Sequence, residues 1–227
     1  EFNASFQNKN EIPNHNFFDC NSYFKALEIE NGVLEINAFN KISSNTKSSN
    51  QLIAFFLKLK TYYPNLFILS KEIEINKQII TKINSIIDRF DEIRDNASPE
   101  LYEIRIKIKQ LKNKITSNFN KVLSNYSNLG YLDDIKESVY ENRRVLGVKA
   151  MHRKKIKGYI LGASKTGSIV FIEPESVNIH LQELRNLIYE EGEEIKRILT
   201  ELTFYLRPNL NLIIKQQKFL LDLDCIY

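Results

Sequence analysis

Eight cationic side chains cluster in one short stretch of the sequence, which makes that stretch the first candidate for binding chemistry. Between Arg143 and Lys157 there is no acidic residue, and the last cation stands in the loop of residues 163–168. Lysine and arginine neutralise phosphate groups and release counterions, so such a surface attracts an anionic polymer. The candidate phosphate-contacting residues are Arg143, Arg144, Lys149, Arg153, Lys154, Lys155, Lys157 and Lys165. The alternative interpretation is a solvated turn region, since runs of charge usually face water.

Glycines in the same stretch favour close approach of a ligand to the main chain. Because Gly158, Gly162 and Gly167 lack a Cβ, we expect them to admit a phosphate group near the backbone. The nearby aromatic residues are expected to pack inside a small sheet rather than stack on bases. They are Tyr140, Tyr159 and Phe171. The pattern predicts contact with a phosphate backbone without sequence-specific recognition.

The other reactive side chains are too scattered for a catalytic or metal site. The histidines and cysteines are His15, His152, His180, Cys20 and Cys225. Their spacing supports neither a serine–histidine–aspartate set, nor a cysteine–histidine pair, nor a zinc site. The segment Gly162–Gly167 contains a lysine, but it precedes the second glycine, so the segment is not the nucleotide-binding P-loop. We expect no catalytic residue, metal site or cofactor in this chain.

Two groups of acidic residues have structural interpretations. Glu173 and Pro174 close the last predicted strand, where Glu173 and Glu175 complement the dipole of the next helix. Four further acids precede Lys196 and Arg197 by about one helical turn, which predicts a solvated helix face with ion pairs. They are Glu190, Glu191, Glu193 and Glu194.

The cations lie within a predicted β-unit between two long predicted helices. From Ser138 to Pro174 the apolar runs are short, β-branched and separated by glycine, serine and lysine, which is typical of a small sheet. On either side, apolar residues recur at helical spacing and form seams of about thirty residues, or roughly 45 Å of helix. The first seam contains Leu101, Ile104, Ile108, Leu111, Ile115, Phe119 and Val122. The second contains Val177, Leu181, Leu184, Ile188, Ile195, Ile198, Leu202 and Tyr205.

The N-terminal part is predicted to be mainly helical, with one ambiguous segment. Leu27–Ile36 places Asn31 and Gly32 between alternating flanks, which fits a β-hairpin or, alternatively, a helix end capped by Gly32. Residues 43–50 are interpreted as a polar spacer, followed by a buried helix at Leu52–Tyr63 that stops at Pro64.

A second N-terminal helix is predicted for Lys71–Arg94, followed by the start of the first long helix. Ser98 is interpreted as its N-cap, Pro99 as its first helical residue and Glu100 as a first-turn acid.

These elements predict a mainly α fold: a helical core with a long antiparallel two-helix lever that carries a small antiparallel β-sheet clamp at its tip. Two seams of equal length cover each other only if the helices run antiparallel. The predicted regions are a helical core at 1–97, an ascending lever helix at 98–137, a β clamp at 138–174, a descending lever helix at 175–206 and a return to the core at 207–227.

Composition restricts the setting more than the partner. The 227 residues carry a formal net charge of +4, so the distribution of charge is more informative than its total. Two distant cysteines and the lack of a long apolar run favour a reduced, cytoplasmic protein without a membrane partner.

The order of these segments resembles the core, lever and clamp regions of MutS-family proteins. The residues that carry the resemblance are Asp95–Arg105 (DNASPELYEIR), Arg143–Lys149 (RRVLGVK), Gly158–Pro174 (GYILGASKTGSIVFIEP) and Tyr189–Leu202 (YEEGEEIKRILTEL). The most similar branch is the second one, which does not bind mismatches and suppresses recombination. The resemblance extends over roughly residues 24–227.

The resemblance implies a homodimer in which paired levers and clamps enclose a nucleic acid, controlled by P-loop ATPase domains that use ATP and Mg²⁺. It also implies roles in DNA mismatch repair or recombination control, with branched DNA as a partner, or in rescue of collided ribosomes, with ribosomal RNA as a partner. Some members carry a C-terminal Smr nuclease domain. We expect this chain to be a piece of such a DNA-dependent ATPase and not itself an enzyme.

Individual positions match or depart from the family pattern. Arg143 and Lys149 match a strand Arg and Lys of the family, and Ser164 and Gly167 match a loop Ser and Gly. The departures are Arg144, Gly147, Leu161 and Gly162, which place the chain in a divergent sub-branch.

Two hypotheses of function follow. The first is a non-catalytic nucleic-acid clamp and lever in which the eight cations contact phosphates. The second is a dimerisation or protein-docking scaffold, because heptad-like seams pair between chains as readily as within one.

Overall fold

The computed structural model describes Glu1 and residues 10–226, and it divides them into two compact units. The first, here called the helical unit, contains the described residues of Glu1–Leu101 together with those from Glu194 onward. The second, the sheet unit, is Tyr102–Glu193. The fold is mainly helical with a four-stranded antiparallel sheet between helices, as the sequence predicted.

Among the described residues, five α-helices precede the four strands and two follow them. The described α-helices are α1 (Asn21–Glu28), α2 (Ile36–Lys58), α3 (Pro64–Ser70), α4 (Gln78–Ile86), α5 (Pro99–Asn128), α6 (Glu175–Leu206) and α7 (Leu210–Ile226). The strands are β1 (Leu132–Tyr140), β2 (Arg143–Lys149), β3 (Gly158–Ala163) and β4 (Ile169–Pro174). Short 3₁₀ helices occupy Ala150–Lys155 and Arg207–Asn209. In the described residues, no helix is long and apolar enough to cross a membrane.

Helix α2 runs through the segment that the sequence suggested was a polar spacer. Asn45 and Asn50 are buried within it because their amides satisfy neighbouring main chain. The Asn45 amide donates to and accepts from the backbone of Phe18, both at 2.8 Å, and Asn50 does the same with Asn76 at 2.8 and 3.1 Å. Buried polar groups with partners are compatible with a helix interior, so the prediction of a break at 43–50 was wrong. Pro64 begins α3 rather than ending the preceding helix.

The hairpin predicted for Leu27–Ile36 is also wrong. Helix α1 ends at Glu28, and a turn closed by a hydrogen bond from the Gly32 N–H to the Ile29 carbonyl (3.0 Å) leads into α2. Arg207 donates to the carbonyls of both Ile29 and Gly32, at 2.6 and 3.0 Å, and so holds this connection from a distant part of the chain. The alternative of a helix end and a short connection is correct, although Gly32 lies beyond the position where it would cap α1.

The helix predicted for Lys71–Arg94 is shortened to α4 by two side chains that bond the main chain. Asn76 accepts from the Ile79 N–H at 3.1 Å at the start of α4. After its end, Asp88 accepts from the N–H groups of Phe90 and Glu92, at 2.8 and 3.0 Å, which holds a turn and lowers the pKa of Asp88. Such local bonds compete with helix formation.

The start of α5 agrees with the sequence. The Ser98 hydroxyl accepts from the Leu101 N–H at 3.0 Å, which is the N-cap bond, and Pro99 is the first helical residue.

The end of α5 explains why the sheet begins at Leu132, six residues before Ser138. Gly130 has a φ of +72°, its N–H donates to the Ser127 carbonyl (3.0 Å), and the Tyr131 N–H donates to the Tyr126 carbonyl (3.1 Å). These two bonds form a Schellman motif, and the stacked rings of Tyr126 and Tyr131 supply its apolar contact. The motif ends α5, and the chain continues directly into the extended strand β1 at Leu132.

The sheet has the order β1-β2-β4-β3 with antiparallel pairing throughout. Because β2 and β3 both pair antiparallel with β4, the 3₁₀ segment Ala150–Lys155 crosses from one end of the sheet to the other. One face packs on α5 and α6 in a core that contains Phe119, Leu132, Leu146, Val148, Ile156, Val170, Ile172 and Val177.

Within the sheet unit, α5 and α6 run antiparallel. Phe119 of α5 shares the sheet core with Val177 of α6, whereas Arg105 forms an ion pair with Glu191 at 2.7 Å. Moving from Phe119 back to Arg105 and from Val177 forward to Glu191 covers the same length of helix in opposite chain directions. This agrees with the antiparallel pairing that the two seams predicted.

Candidate nucleic-acid interface

Lys149 and Lys165 lie at the same end of the sheet. Lys149 is the last residue of β2 and pairs with Ile169, the first residue of β4, just after the turn that bears Lys165. The Ala150 N–H donates to the Ser168 carbonyl at 2.9 Å and ties this turn to the end of β2. Both lysines are exposed.

The turn between β3 and β4 is held by its own hydroxyl groups. The Ser164 hydroxyl accepts from the Ile169 N–H at 3.1 Å, and the hydroxyls of Thr166 and Ser168 are 2.8 Å apart. Gly167 has a φ of +72°, which an L side chain rarely adopts, and its N–H donates to the Ser164 carbonyl at 2.9 Å. Ser164 and Gly167, the residues that match the family pattern, therefore shape the turn that presents Lys165.

The crossing segment Ala150–Lys155 presents three cations in a row. Arg153, Lys154 and Lys155 are all exposed; Arg153 donates to the Ala150 carbonyl at 3.4 Å. The ammonium of Lys155 lies 5.0 Å from the centre of the Tyr131 ring, within range of a cation–π contact. A 3₁₀ helix projects successive side chains in different directions, so these cations fan out over the surface.

Tyr131 is the middle ring of a stack of three rings that was not predicted from the sequence. The rings of Tyr126 and Tyr131 stack with their centroids 6.2 Å apart. The His152 ring packs against Tyr131, with 4.8 Å between the two ring centroids. The stack links the end of α5 to the crossing segment. The available sequence signal was two tyrosines on either side of the helix-ending Gly130.

Lys157 lies just before the start of β3, at the opposite end of the sheet from Lys149. Its carbonyl accepts from the Glu175 N–H at 3.2 Å, and its own N–H points to the Tyr126 hydroxyl at 3.5 Å. The backbone of Lys157 is thereby fixed while its side chain is exposed.

Arg143 is engaged by a buried carboxylate. A guanidinium nitrogen of Arg143 lies 3.5 Å from Oε2 of Glu173, whose side chain is fully buried, and the Asn178 amide donates to the same oxygen at 2.5 Å. The other oxygen, Oε1, is buried with no hydrogen-bond partner among the described residues. Glu173 therefore serves the interior of the sheet unit more than the dipole of α6.

Arg144 is also committed to the protein itself. Two of its nitrogens donate to Oε2 of Glu137, at 2.6 and 3.1 Å, and one donates to Asn120 at 3.0 Å. Its guanidinium lies 4.1 Å from the centre of the Phe119 ring. Arg144 thus bridges the sheet to α5, which gives this departure from the family pattern a structural role.

The six remaining cations differ from these two arginines. All six are exposed, and none forms an ion pair among the residues that the structure describes. They are Lys149, Arg153, Lys154, Lys155, Lys157 and Lys165. We call this set the sheet cations.

Of the three glycines expected to admit a ligand, Gly158 and Gly162 are instead covered by the protein itself, whereas nothing lies within 4 Å of the position that a Cβ on Gly167 would take. A Cβ on Gly162 would meet the Tyr140 ring at 2.5 Å, and one on Gly158 would meet the Glu173 carbonyl oxygen at 2.3 Å. Tyr140 stacks on Phe171 with centroids 5.5 Å apart, which confirms the expected aromatic packing for this pair. Tyr159, by contrast, is half exposed.

Two acids of α6 hold the long helices instead of facing solvent. Glu191 accepts from Arg105 at 2.7 Å in the sheet unit. In the helical unit, Glu194 accepts from Arg197 at 2.6 Å and from the Ser98 hydroxyl at 2.6 Å. These bonds, led by the one from Arg197, lower the pKa of Glu194. The prediction of a solvated face was wrong for both residues, but the ion pairing predicted along this helix is present between Glu194 and Arg197.

Across Glu1 and residues 10–226, no group of three or more histidine, cysteine, aspartate or glutamate side chains is placed to hold a metal ion.

The fold and its surface define a class of protein: a mainly helical chain in which two long antiparallel helices flank a small, cation-bearing sheet. This is the arrangement that the MutS-family resemblance implies. No protein-family model matches the sequence.

Comparison with curated proteins identifies the relatives. The chain is 28% identical over 226 residues to Endonuclease MutS2 of Staphylococcus aureus strains Newman, USA300 and JH9. Each alignment covers 97% of this chain and 29% of the relative, so the chain spans less than a third of the length of these proteins. The chain is thus a homologue of one region of MutS2, which confirms the resemblance to the second branch of the MutS family.

Proposed function

We propose that this chain is a non-catalytic nucleic-acid clamp and lever region of a MutS-like ATPase. The observation that carries the proposal is the set of sheet cations, which are exposed and have no ion-pair partner among the described residues. Unpaired cations are free to neutralise phosphates and release counterions. Arg143 and Arg144 contribute to the field of this surface but are held by Glu173 and Glu137.

The placement of the sheet cations favours contact with the phosphate backbone over contact with bases. The sheet cations surround the sheet at both ends and along the crossing segment, and the Tyr140 and Phe171 rings pack on each other. Backbone contacts position a protein on nucleic acid without reading sequence. DNA, including branched DNA, is the first partner that we propose, and ribosomal RNA is the second.

For the whole protein, we propose the assembly and the role that the resemblance to the MutS family implies. We propose a cytoplasmic homodimer with ATP and Mg²⁺ bound outside this region and a role in DNA recombination control or mismatch repair. Two linked clamps raise the apparent affinity over that of one clamp, because the second contact becomes intramolecular. The word endonuclease in the relatives' name concerns those longer proteins.

The experiment is a fluorescence-anisotropy titration of labelled duplex DNA, a four-way DNA junction and a structured RNA at two salt concentrations. We expect affinity to fall steeply with salt, and the Lys154→Glu/Lys155→Glu variant to lose most of its binding. A matched control is Lys58→Glu/Lys60→Glu, which makes the same charge change at exposed positions of the helical unit.

Two outcomes of this titration would contradict the nucleic-acid proposal. Equal binding by the Lys154/Lys155 variant and the control would overturn the assignment to the sheet cations. No binding by the unmodified chain at low salt, even when it is artificially dimerised, would overturn the nucleic-acid function.

A second candidate function is a dimerisation or protein-docking scaffold. Ile188 belongs to the apolar seam of α6 yet is 49% exposed, and the neighbouring Tyr189 is 70% exposed, so both side chains are available to a partner. Analytical ultracentrifugation at several concentrations tests this: a persistent monomer contradicts it, and a dimer lost in Ile188→Ser/Tyr189→Ser supports it.

A further inference from the structure

Helix α5 carries a surface whose charge is unlike that of the rest of the chain. From Ile104 to Leu132 there is no aspartate or glutamate, while this stretch contains six cations. They are Arg105, Lys107, Lys109, Lys112, Lys114 and Lys121. Helix α6 has the opposite character, with seven acids and three lysines or arginines. The long helices therefore differ in the kind of ligand they attract.

Three of these lysines form a row along the exposed side of α5. Lys107, Lys114 and Lys121 are separated by seven residues each, or nearly two full turns, so they project in almost the same direction. The row spans about 21 Å at 1.5 Å per residue. All three side chains are exposed, and none is in an ion pair among the described residues. We call these residues the α5 lysine row.

The row runs along the edge of the buried face of α5, because the buried Leu111 lies one helical turn from both Lys107 and Lys114. Ile108, Leu111 and Phe119 are buried, and they mark the inner side of the helix. The outer side is covered by amides and hydroxyls that line a shallow, largely open groove. The lining residues are Asn113, Thr116, Ser117, Asn120, Lys121, Ser124, Asn125 and Asn128.

The groove offers hydrogen-bond donors that the protein does not use. Among the described residues, the side chains of Asn113, Ser117 and Asn125 have no hydrogen-bond partner, whereas Asn120 is bonded to Arg144. Asparagine, serine and threonine commonly donate to phosphate oxygens, alongside lysine and arginine. The Arg144 guanidinium that donates to Asn120 also pairs with the Glu137 carboxylate at 2.6 Å, which neutralises that acid.

We propose that the outer face of α5 is a second binding surface for the phosphate backbone of duplex nucleic acid, separate from the sheet cations. The inference rests on the proposed nucleic-acid function and extends it to the helix. A duplex is the fitting partner because it presents about one negative charge per 1.7 Å along its axis, so a rigid row of about 21 Å always faces several phosphates. The three lysines of the row, together with the lack of aspartate and glutamate from Ile104 to Leu132, make this face of α5 complementary in charge to phosphates.

The test compares two triple variants that change charge equally. Ser117→Asp/Lys121→Glu/Asn125→Asp places three acids on the outer face of α5. Gln182→Glu/Arg185→Glu/Asn186→Asp places three acids at exposed positions of α6 and serves as the control. Both sets put like charges one helical turn apart, and Asn186→Asp in the control also stands one turn from Glu183 and Glu190, so any loss of helix stability should be larger in the control than in the α5 variant. Circular dichroism melting checks that both variants fold.

The readout is anisotropy with a fluorescein-labelled 30-base-pair DNA duplex over a range of salt concentrations. We expect the α5 variant to bind about tenfold or more weakly at low salt than the α6 control. Its plot of log affinity against log salt should be shallower by about one or more, because phosphate contacts are lost.

A neutral variant keeps the test valid if the acidic one does not fold. Lys107→Gln/Lys114→Gln/Lys121→Gln removes the row without adding acids, and the salt slope should fall by about two to three if all three lysines contact phosphates. An unchanged slope in this variant would overturn the inference.

The comparison with Lys154→Glu/Lys155→Glu distinguishes the two proposals. If that variant loses binding while the α5 variant matches the α6 control, the α5 surface is disproved and the proposed function stands. If the α5 variant loses binding while the Lys154/Lys155 variant does not, the helix is the binding surface and the assignment to the sheet cations is disproved. Loss in both supports both surfaces, and no binding by the unmodified chain overturns both.

Discussion

The helical unit and the sheet unit use polar side chains in opposite ways. In the helical unit, amides such as Asn45, Asn50 and Gln217 are buried and bonded to the main chain of other segments. In the sheet unit, the sheet cations and the α5 lysine row are exposed and unpaired within the described chain. Polar side chains therefore hold the shape of the helical unit, whereas in the sheet unit they are available for binding.

In the interior of the helical unit, side chains form hydrogen bonds with main-chain groups that are far away in the sequence. The Gln217 side chain accepts from the Cys20 N–H at 2.9 Å, and the Thr203 hydroxyl accepts from the Leu34 N–H at 3.1 Å. Each bond joins the N-terminal helices to α6 or α7. Removing one partner leaves a buried donor or acceptor unsatisfied, so these bonds make the unit cooperative.

The largest expected effect is on the core of the helical unit. Phe39 is fully buried, and Phe39→Ala should lower the free energy of unfolding by about 3–5 kcal/mol, because it removes apolar contacts and leaves a cavity. The measurement is urea denaturation followed by circular dichroism. The control is Phe90→Ala, since Phe90 is 68% exposed and its truncation should cost little. Equal effects of the two changes would contradict the assignment of the core.

The second effect concerns the two cysteines. Burial, reinforced by the nearby Asp19 carboxylate, raises the pKa of the Cys20 thiol to about 11, while Cys225 is exposed. A rise of two units above the usual value lowers the thiolate fraction about a hundredfold near neutral pH. We expect Cys225→Ser to label at least a hundredfold more slowly than Cys20→Ser with a thiol reagent such as iodoacetamide. Similar rates in the native state would show that the interior is open.

The third effect is the loss of one buried amide. Asn45→Ala removes both bonds to the Phe18 main chain and the contact of the amide with the Cys20 sulfur at 3.5 Å. We expect a loss of about 1–3 kcal/mol in the free energy of unfolding, because the Phe18 groups are left without partners. Asn186→Ala, at an exposed position of α6, is the control and should change stability by less than about 0.5 kcal/mol. An equally small effect at Asn45 would weaken the contrast between the units.

The smallest effect is a pH dependence that arises from Glu194. Its pKa is lowered in the folded chain by Arg197 and Ser98, so its ionised form stabilises the fold above the unfolded pKa of about 4.3. This contribution should be lost as pH falls through the lower folded pKa. Urea denaturation of the unmodified chain and Glu194→Gln should therefore differ at pH 7 and converge as pH falls below about 4. A difference that is constant with pH would contradict the assignment.

Much of the secondary structure could be predicted because its causes are local. Ser98 and Pro99 mark the start of α5, and the apolar spacing from Leu101 to Val122 marks its inner side. The sheet was recognisable from its β-branched runs, but its start was not, because the Schellman motif at Gly130 depends on a left-handed residue and two specific hydrogen bonds.

The errors fall where distant residues satisfy local polar groups. The buried amides of α2 look like a spacer until Phe18 and Asn76 are known to be their partners. Arg143 and Arg144 look equivalent to their cationic neighbours until Glu173 and Glu137 are placed beside them. Sequence spacing contains no information about such pairs, since they are separated by turns and strands.

Three features could be predicted without a structure: the helical character of the chain, the antiparallel pairing of its two long helices and the segment where cations concentrate. Periodicity and local charge are properties of neighbouring residues, so the sequence is sufficient to predict these features. The tertiary structure decided which cations remain unpaired, which glycines are filled by the protein and which acids hold helices together. Those outcomes depend on contacts between residues far apart in the chain, which only folding brings within hydrogen-bonding distance.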